Sequence, residues 1–156
     1  MTSTNPTIRV GAPAPQPTPT QRVQTSLERQ GMMRAWGVRL ERADVGMCEL
    51  YMPFSDAVSQ QQGSFHGGAM GALADIAGGY AALTVAPPGC EVMTAEYKIN
   101  FLAAKSGGQL RAVGTVVRAG KRLTVATAEV THVADDGTRT VCALMQQTLV
   151  AVAKHY

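Results

Sequence analysis

Aromatic and charged residues are scarce in this 156-residue chain. Phe, Trp and Tyr make up 5% of it and Asp, Glu, Lys and Arg 16%, whereas 46% of the residues are hydrophobic. A chain of this length forms one domain, whose core must be built from small and aliphatic side chains packed closely. The net charge of +3 is spread along the sequence. Without the basic stripe of a nucleic-acid-binding protein, nucleic acid is not an expected partner.

Cysteine is scarce as well. Cys48, Cys90 and Cys142 are odd in number and widely scattered, and they lack the spacing of a zinc site or a disulfide framework. Reduced thiols of this kind are typical of the cytosol. The first five residues lead into no apolar stretch, so we expect no secretory signal. The expectation is a cytoplasmic protein without a metal site.

Only one apolar run, residues 67–86, is about as long as a bilayer span. It contains Asp75 and five glycines, and Pro87 and Pro88 follow where a membrane anchor would have flanking residues. Each glycine costs a helix roughly 1 kcal/mol relative to alanine, so tertiary packing must offset this. We predict a buried core helix enclosed by a closely fitting sheet, and no membrane association.

The N-terminal part of the chain predicts a tail, a helix and two strands. Residues 1–19 hold five of the eight prolines and predict a disordered or extended tail, so that the folded domain covers 20–156. A helical pattern follows over residues 20–34. Two alternating segments predict short strands around a turn at 43–45, and they cover residues 36–40 and 46–52.

After the prolines at 87 and 88, alternating hydrophobicity predicts four strands, at residues 93–101, 110–118, 122–133 and 140–150. Turn signals such as Asp-Asp-Gly at 135–137 separate them, and short turns predict that consecutive strands are antiparallel neighbours. The core helix is the only element apolar enough to cover such a sheet. The predicted fold class is therefore α+β, an antiparallel sheet wrapped around one long helix.

Asp75 is the only charged residue between Asp56 and Glu91, and it lies inside the predicted core helix. A carboxylate in that position needs hydrogen-bond partners. It is either a residue of a functional site or a structural aspartate bonded to nearby backbone, and its position alone favours the functional role only slightly.

Two glycines, Gly67 and Gly68, open this helix. Glycine lets a ligand approach the backbone, and the N–H groups at a helix start favour a developing oxyanion. Eight residues separate Gly67 from Asp75, which is a rise of about 12 Å along a helix. One chain's Asp75 therefore cannot attack a carbonyl bound at its own Gly67. If the two cooperate, they belong to different subunits of a dimer with two symmetric sites.

The residues from Gln60 through GSFHGGAMGALADIAGGYAA, followed by MTAEYKINFLAA at 93–104, carry a resemblance to a known family. The chain resembles the hotdog-fold acyl-CoA thioesterases over roughly residues 36–150. It is most similar to the branch that includes the phenylacetate-pathway enzymes and the Arthrobacter-type 4-hydroxybenzoyl-CoA enzymes. The most specific motif of this resemblance is His-Gly-Gly followed by an acidic residue nine positions after the histidine.

The resemblance implies four catalytic residues. The Gly67 N–H polarises the thioester carbonyl, and Asp75 acts as nucleophile or general base. Gln60 orients the substrate carbonyl or the attacking water, and Thr94 assists water on the side of the carboxylate. The Arthrobacter-type enzymes also place a hydroxyl residue four positions after the acid, where this chain has Gly79, so Thr94 must serve alone.

Weaker candidates complete the predicted site. His66 and Gly68 belong to the substrate-binding loop, which His66 mainly shapes. The basic group Arg118, Lys121 and Arg122 at a hairpin tip is either a solvated turn or the partner of the CoA phosphates. No cofactor is expected, because CoA is part of the substrate. The expected partner is a second copy in a homodimer with shared active sites, with a dimer of dimers as the further expectation.

The sequence leaves two alternatives to thioester hydrolysis. One is a hotdog protein that binds acyl-CoA without turnover, against which stand the intact acid and Gln60. The other is a hydratase or dehydratase on the same fold, which the ten-residue spacing of Asp56 and His66 disfavours. The sequence does not distinguish a substrate with an aromatic acyl group from one with a short to medium acyl chain.

Overall fold

A computed structural model describes residues 16–156, in which three helices and six strands form. The helices are α1 (Pro19–Leu27), α2 (Gly31–Ala35) and α3 (Gly67–Val85), and a 3₁₀ turn covers Asp56–Val58. The strands are β1 (Arg39–Asp44), β2 (Met47–Pro53), β3 (Cys90–Phe101), β4 (Gln109–Ala119), β5 (Thr124–Val133) and β6 (Arg139–Ala153).

The six strands form one antiparallel sheet in the order β1-β2-β4-β5-β6-β3. The sheet curves around α3, which packs against all six strands. This arrangement is the hotdog fold, and it confirms the predicted fold class. β3 lies at an edge of the sheet, pairs only with β6 among the described strands, and leaves the side chains of Met93, Tyr97 and Phe101 about half exposed.

The core helix α3 has the bounds that the sequence predicts. Small residues let it sit very close to the sheet: a Cβ added to Gly114 of β4 would lie 2.1 Å from the carbonyl oxygen of Ala77. Length and composition alone would allow α3 to cross a membrane, but 67% of its most apolar 18-residue stretch is buried inside the protein. It is therefore the core helix of the fold.

Helix α1 closes over the C-terminal end of α3. Thr18 caps α1 with its side chain, and Pro19 occupies the first turn, where proline is well tolerated. The guanidinium of Arg22 donates to the carbonyl oxygens of Ala86, Pro87 and Cys90 at 2.7–2.8 Å. These bonds tie α1 to the chain that leaves the core helix. Most of the predicted tail, residues 1–15, lies outside the described residues.

The single helix predicted over 20–34 is wrong, because the chain turns between α1 and α2. Backbone bonds from Arg29 N to Ser26 O and from Gln30 N to Leu27 O, at 3.1 and 3.0 Å, end α1. The side chain of Gln30 then reaches the Tyr80 hydroxyl. A tertiary contact thus overrides the continuous helical pattern.

The first strand and its turn are also shifted from the prediction. Residues 36–38 do not form a strand, since Trp36 caps α2 and Gly37 has a φ of 67°. β1 instead covers Arg39–Asp44, and the turn to β2 is Val45 and Gly46 rather than 43–45. Gly46 has a φ of 79°, which glycine adopts without strain and which a tight hairpin requires.

The expectation that consecutive strands are always neighbours is wrong for β3 and β4. β3 pairs with β6, whereas β4 lies between β2 and β5. The connecting residues 102–108 are long enough to cross the end of the molecule. Leu102 N–H donates to Cys142 O and Lys105 O accepts from Phe65 N–H, each at 2.8 Å, and these bonds hold the crossing segment in place.

Candidate active site

Asp75 lies on the side of α3 that faces the start of β3, and it is half-buried. The Thr94 hydroxyl donates to Asp75 Oδ1 at 2.7 Å. The structure thus brings together two of the predicted catalytic residues. Thr94 contacts the carboxylate directly, so it orients the group that the sequence analysis assigns to catalysis.

A third residue, Gln147 of β6, also contacts Asp75. Its side-chain Nε2 donates to Asp75 Oδ1 at 3.2 Å and to the Asp75 backbone carbonyl at 3.1 Å. Gln147 is fully buried. Gln147 is not among the predicted site residues, although alternation along β6 places position 147 on the inward face with Ala143, Met145 and Leu149. A glutamine at an inward position is the signal that could have identified it.

A pocket of about 230 Å³ opens beside Asp75, between α1, α3 and the start of β3. Its apolar wall includes Ile76, Val92 and Met93, and Gly79 adds no side chain to it. Asp75 and Thr94 lie on its lining, so the carboxylate is accessible to a bound molecule. Gly79 stands where the resemblance implies a hydroxyl residue, and a Cβ at this position would lie 3.7 Å from Leu149 Cδ2.

A chain of hydrogen bonds forms another part of this pocket's lining. Gln30 Nε2 donates to the Tyr80 hydroxyl at 2.8 Å, Tyr80 donates to Ser26 Oγ at 3.4 Å, and Ser26 donates to a Glu91 carboxylate oxygen at 3.2 Å. Burial raises the pKa of Tyr80 to about 12, so its phenol stays protonated and keeps its place in the chain. The pocket therefore combines an apolar wall with hydrogen-bonding groups.

The start of α3 forms the other half of the predicted site. His66 caps the helix, and its Nδ1 accepts from the Gly68 N–H at 2.8 Å. The next N–H groups, those of Ala69 and Met70, donate to the His66 carbonyl at 3.0 Å. Within the described residues the Gly67 N–H donates to no protein group. It is a backbone donor available at the positive end of the helix.

Gln60 lies next to this helix start, in a loop that folds back on itself. A β-bridge joins Ser59 to Phe65, and His66 N–H donates to Val58 O at 2.8 Å. The Gln60 side-chain oxygen accepts from Gln62 N–H at 2.5 Å. Gln60 N–H donates to Ser64 O at 2.8 Å in this loop, which leads into α3, and its amide oxygen is directed at its own loop.

The predicted site therefore falls into two halves within one chain. Gln60, His66, Gly67 and Gly68 gather at the start of α3, whereas Asp75 and Thr94 lie about 12 Å further along the helix. The Phe101 ring lies against Gly67, 3.5 Å from where a Cβ would be. Since Phe101 is on the edge strand, the donor half lies close to the free edge of the sheet.

The predicted phosphate-binding residues Arg118, Lys121 and Arg122 contact neither half of the predicted site. Arg118 lies near the end of β4, while Lys121 and Arg122 lie in the turn before β5. All three are exposed, and within 16–156 no hydrogen bond or ion pair joins their side chains to another residue. Their side chains are free to meet an anionic ligand.

Other candidate groups have structural explanations. The buried His132 ring lies 3.0 Å from the Gly107 carbonyl oxygen and packs against Phe65. Burial raises the pKa of the Cys48 thiol to about 12, which keeps it protonated and unreactive. In the part of the chain that the structure describes, no group of three His, Cys, Asp or Glu side chains could hold a metal ion.

Several known proteins are similar to this chain. A family model described as the thioesterase superfamily matches residues 62–138. A protein of Saccharolobus solfataricus, whose name proposes an esterase, is 31% identical over 121 residues, or 78% of this chain and 77% of the relative. The solved structure of a thioesterase family protein from Silicibacter pomeroyi is 36% identical with a TM-score of 0.83, covering 86% of this chain and 98% of that one. The E. coli PaaI protein from the phenylacetic acid degradation operon has the same fold, with 23% identity and a TM-score of 0.76 over 87% of this chain and 94% of that one.

Proposed function

Because the chain belongs to the thioesterase superfamily, we propose that it hydrolyses acyl-CoA or aryl-CoA thioesters to the free acid and CoA. The observation that carries this proposal is a half-buried carboxylate, Asp75, anchored by Thr94 and open to a pocket. The Gly67 N–H at the helix start supplies the complementary donor. We assign the protein to the cytoplasm. The proposed reaction needs no metal or added cofactor, since CoA arrives as part of the substrate.

In the proposed reaction the thioester carbonyl accepts a hydrogen bond from Gly67 N–H of one subunit, while Asp75 belongs to the other. The donor stabilises negative charge as it develops on the carbonyl oxygen. In the nucleophilic route, an Asp75 oxygen bonds to the carbonyl carbon, the C–S bond breaks and CoA thiolate leaves. Water then cleaves the mixed anhydride. In the general-base route, Asp75 removes a proton from the water that attacks the carbonyl, the C–S bond breaks, and the proton passes from Asp75 to the leaving CoA thiolate.

Two features support a dimer as the active form. The donor half and the carboxylate half of the site are too far apart in one chain to act on the same carbonyl. The edge strand β3 exposes apolar side chains, including Met93, Tyr97 and Phe101, beside an unpaired backbone edge that a second copy can cover. Members of this superfamily generally act as oligomers on CoA thioesters. We propose a homodimer with shared sites, and a dimer of dimers as its further assembly.

The pocket beside Asp75 is assigned to the acyl group. A volume of about 230 Å³ with an apolar wall suits an aromatic ring or a short to medium chain, and excludes a long fatty acyl chain from full burial. A panel of thioesters from acetyl-CoA to palmitoyl-CoA, with benzoyl-CoA and phenylacetyl-CoA, tests this assignment. Turnover should be highest for aromatic and short to medium groups.

The central test is Asp75→Asn, with Asp56→Asn as the matched control on the exposed 3₁₀ turn. Thr94 and Gln147 can still donate to the amide oxygen, so the fold should persist. We expect thiol release to fall by about 10²- to 10⁴-fold in Asp75→Asn and to remain normal in the control. Wild-type rates in Asp75→Asn would refute the mechanism. Ligand-induced thermal stabilisation without any thiol release from the wild type would indicate a binding protein instead.

A further inference from the structure

Both side-chain donors that reach Asp75 bind the same carboxylate oxygen. Thr94 Oγ1 and Gln147 Nε2 donate to Oδ1, at 2.7 and 3.2 Å, and Gln147 also holds the backbone carbonyl of Asp75. Within residues 16–156 no donor is bonded to Oδ2. Resting on the proposed function, we infer that Gln147 is a positioning residue, which together with Thr94 fixes Oδ1 and leaves Oδ2 as the oxygen that reacts.

The orientation of the Gln147 amide is determined by its surroundings. If the amide were reversed, its oxygen would face the Asp75 carbonyl oxygen and Oδ1, and three acceptors would meet without a proton between them. The NH₂ group therefore faces Asp75. This leaves Gln147 Oε1 buried and, among residues 16–156, without a hydrogen-bond partner.

Two features that keep this amide in place lower the stability of the fold. A buried oxygen without a partner is destabilising by about 1–3 kcal/mol. Gly78 also stands in the middle of α3, where glycine costs about 1 kcal/mol relative to alanine, and a Cβ at that position would lie 2.5 Å from Gln147 Oε1. Apolar side chains at both positions would avoid these costs. Such local losses are expected where a side chain serves a functional site.

Anchoring one oxygen fixes the direction of the other. A carboxylate held only by Thr94 could rotate about its side-chain torsions, whereas a second donor from the neighbouring strand β6 restrains it further. The bond from Gln147 to the Asp75 backbone carbonyl holds that second donor in place. Oδ2 then points at a constant position beside the pocket, ready to attack a carbonyl or to accept a proton from water. Misplacement by about 1 Å is enough to lower a rate about 100-fold.

Three variants test the inference. Gln147→Met keeps the length but removes the donor, Gln147→Glu places oxygens where the donor was, and Gly78→Ala displaces Gln147 through its Oε1. The matched control is Met145→Leu, which changes the neighbouring inward residue of β6 without touching Asp75. We expect kcat to fall roughly 10- to 100-fold in the three variants with KM within about twofold, while the control keeps the wild-type kcat.

A double-variant cycle separates positioning from a merely structural role. In an Asp75→Asn background, Gln147→Met should lower the residual kcat no further, because Gln147 acts only through the carboxylate. A wild-type kcat in any folded member of the three variants, or a full additional loss in the Asp75→Asn background, would overturn the inference. An inactive wild type would instead refute the proposed function, so the two failures are distinguishable.

Discussion

His66 and Gly68 are linked by a hydrogen bond that only a glycine accommodates. The imidazole Nδ1 accepts from Gly68 N–H at 2.8 Å, and a Cβ on Gly68 would lie 2.9 Å from the same nitrogen. The cap satisfies the second N–H of the helix and leaves the first, that of Gly67, for a ligand. His66 therefore determines which backbone donor is available, without contacting the substrate in the proposed reaction.

The Gly67 N–H can be deleted by proline, whose Cβ would meet the Phe101 ring at 3.5 Å, an ordinary van der Waals distance. Proline is well tolerated at the first position of a helix, and His66, with φ −68° and ψ 135°, already has the conformation preferred before proline. We expect Gly67→Pro to lower kcat by about 10²- to 10³-fold, as removal of an oxyanion donor does. Gly67→Ala retains the N–H and should keep most of the activity in the same thiol-release assay. Equal rates in the two variants would refute the role of the donor.

Co-expression of two inactive variants should restore activity if the site is shared. In a mixed dimer of Gly67→Pro and Asp75→Asn subunits, one site carries both defects and the other carries none. Random assembly makes half of the dimers mixed, so we expect roughly a quarter of the wild-type rate. Mass photometry or light scattering should show the same oligomer in both parents. If the co-expressed protein is no more active than the two parent variants together, both groups act within one chain.

Thr94 should tolerate serine but not valine. Thr94→Ser keeps the hydroxyl that donates to Asp75 Oδ1, while Thr94→Val keeps the shape and removes the donor. We expect a kcat near the wild-type value for the serine variant and a loss of about tenfold for the valine variant, comparable to the loss of a hydrogen bond to a charged group. Steady-state kinetics on one thioester suffices, and circular dichroism checks that both variants fold.

The exposed basic group should affect only substrates that carry nucleotide phosphates. We expect the triple variant Arg118→Gln, Lys121→Gln, Arg122→Gln to raise KM for an acyl-CoA several-fold at low salt. The same acyl group on pantetheine, which lacks the nucleotide, should show an unchanged KM. If both substrates respond alike, or neither responds, the hairpin is a solvated turn without a role in CoA binding.

Acid should remove part of the stability that Glu49 contributes. The hydrogen bond from Arg111 is the main cause of the lowered pKa of Glu49. A lowered pKa in the folded state stabilises the protein above the ordinary Glu range, and this contribution disappears as pH falls through the folded-state value. In urea unfolding, Glu49→Gln should cost about 1 kcal/mol at pH 7 and markedly less at about pH 3. A loss that is independent of pH would contradict the ion pair.

The parts of the fold that the sequence could predict were those set by local pattern. Residues 67–85 are apolar apart from a few positions such as Asp75, and two prolines follow at 87 and 88, so the bounds of α3 followed directly. The break between α1 and α2 could not be found in this way, because it depends on Gln30 reaching Tyr80, fifty positions later. The neighbours of β3 depend on where the segment 102–108 crosses the molecule, and turn length alone does not determine this.

In the candidate site too, some residues follow from the local sequence pattern and others depend on tertiary contacts. Motif and spacing predicted Asp75, Gly67 and a site shared by two subunits, and the structure joins Thr94 to the carboxylate. Gln147 was missed because a lone glutamine on a strand carries no motif. Its role becomes visible only when β6 is placed against the middle of α3, a contact between residues more than seventy positions apart.

The direct contact between the Gly114 position of β4 and the Ala77 carbonyl has a consequence for sequence change in this protein. Backbone faces backbone there, and no side chain fits between α3 and β4 at this point. Asp75 lies only two residues before Ala77 on the same helix. A side chain at position 114 would therefore rotate or displace the helix, and it would move the backbone of Asp75 with it.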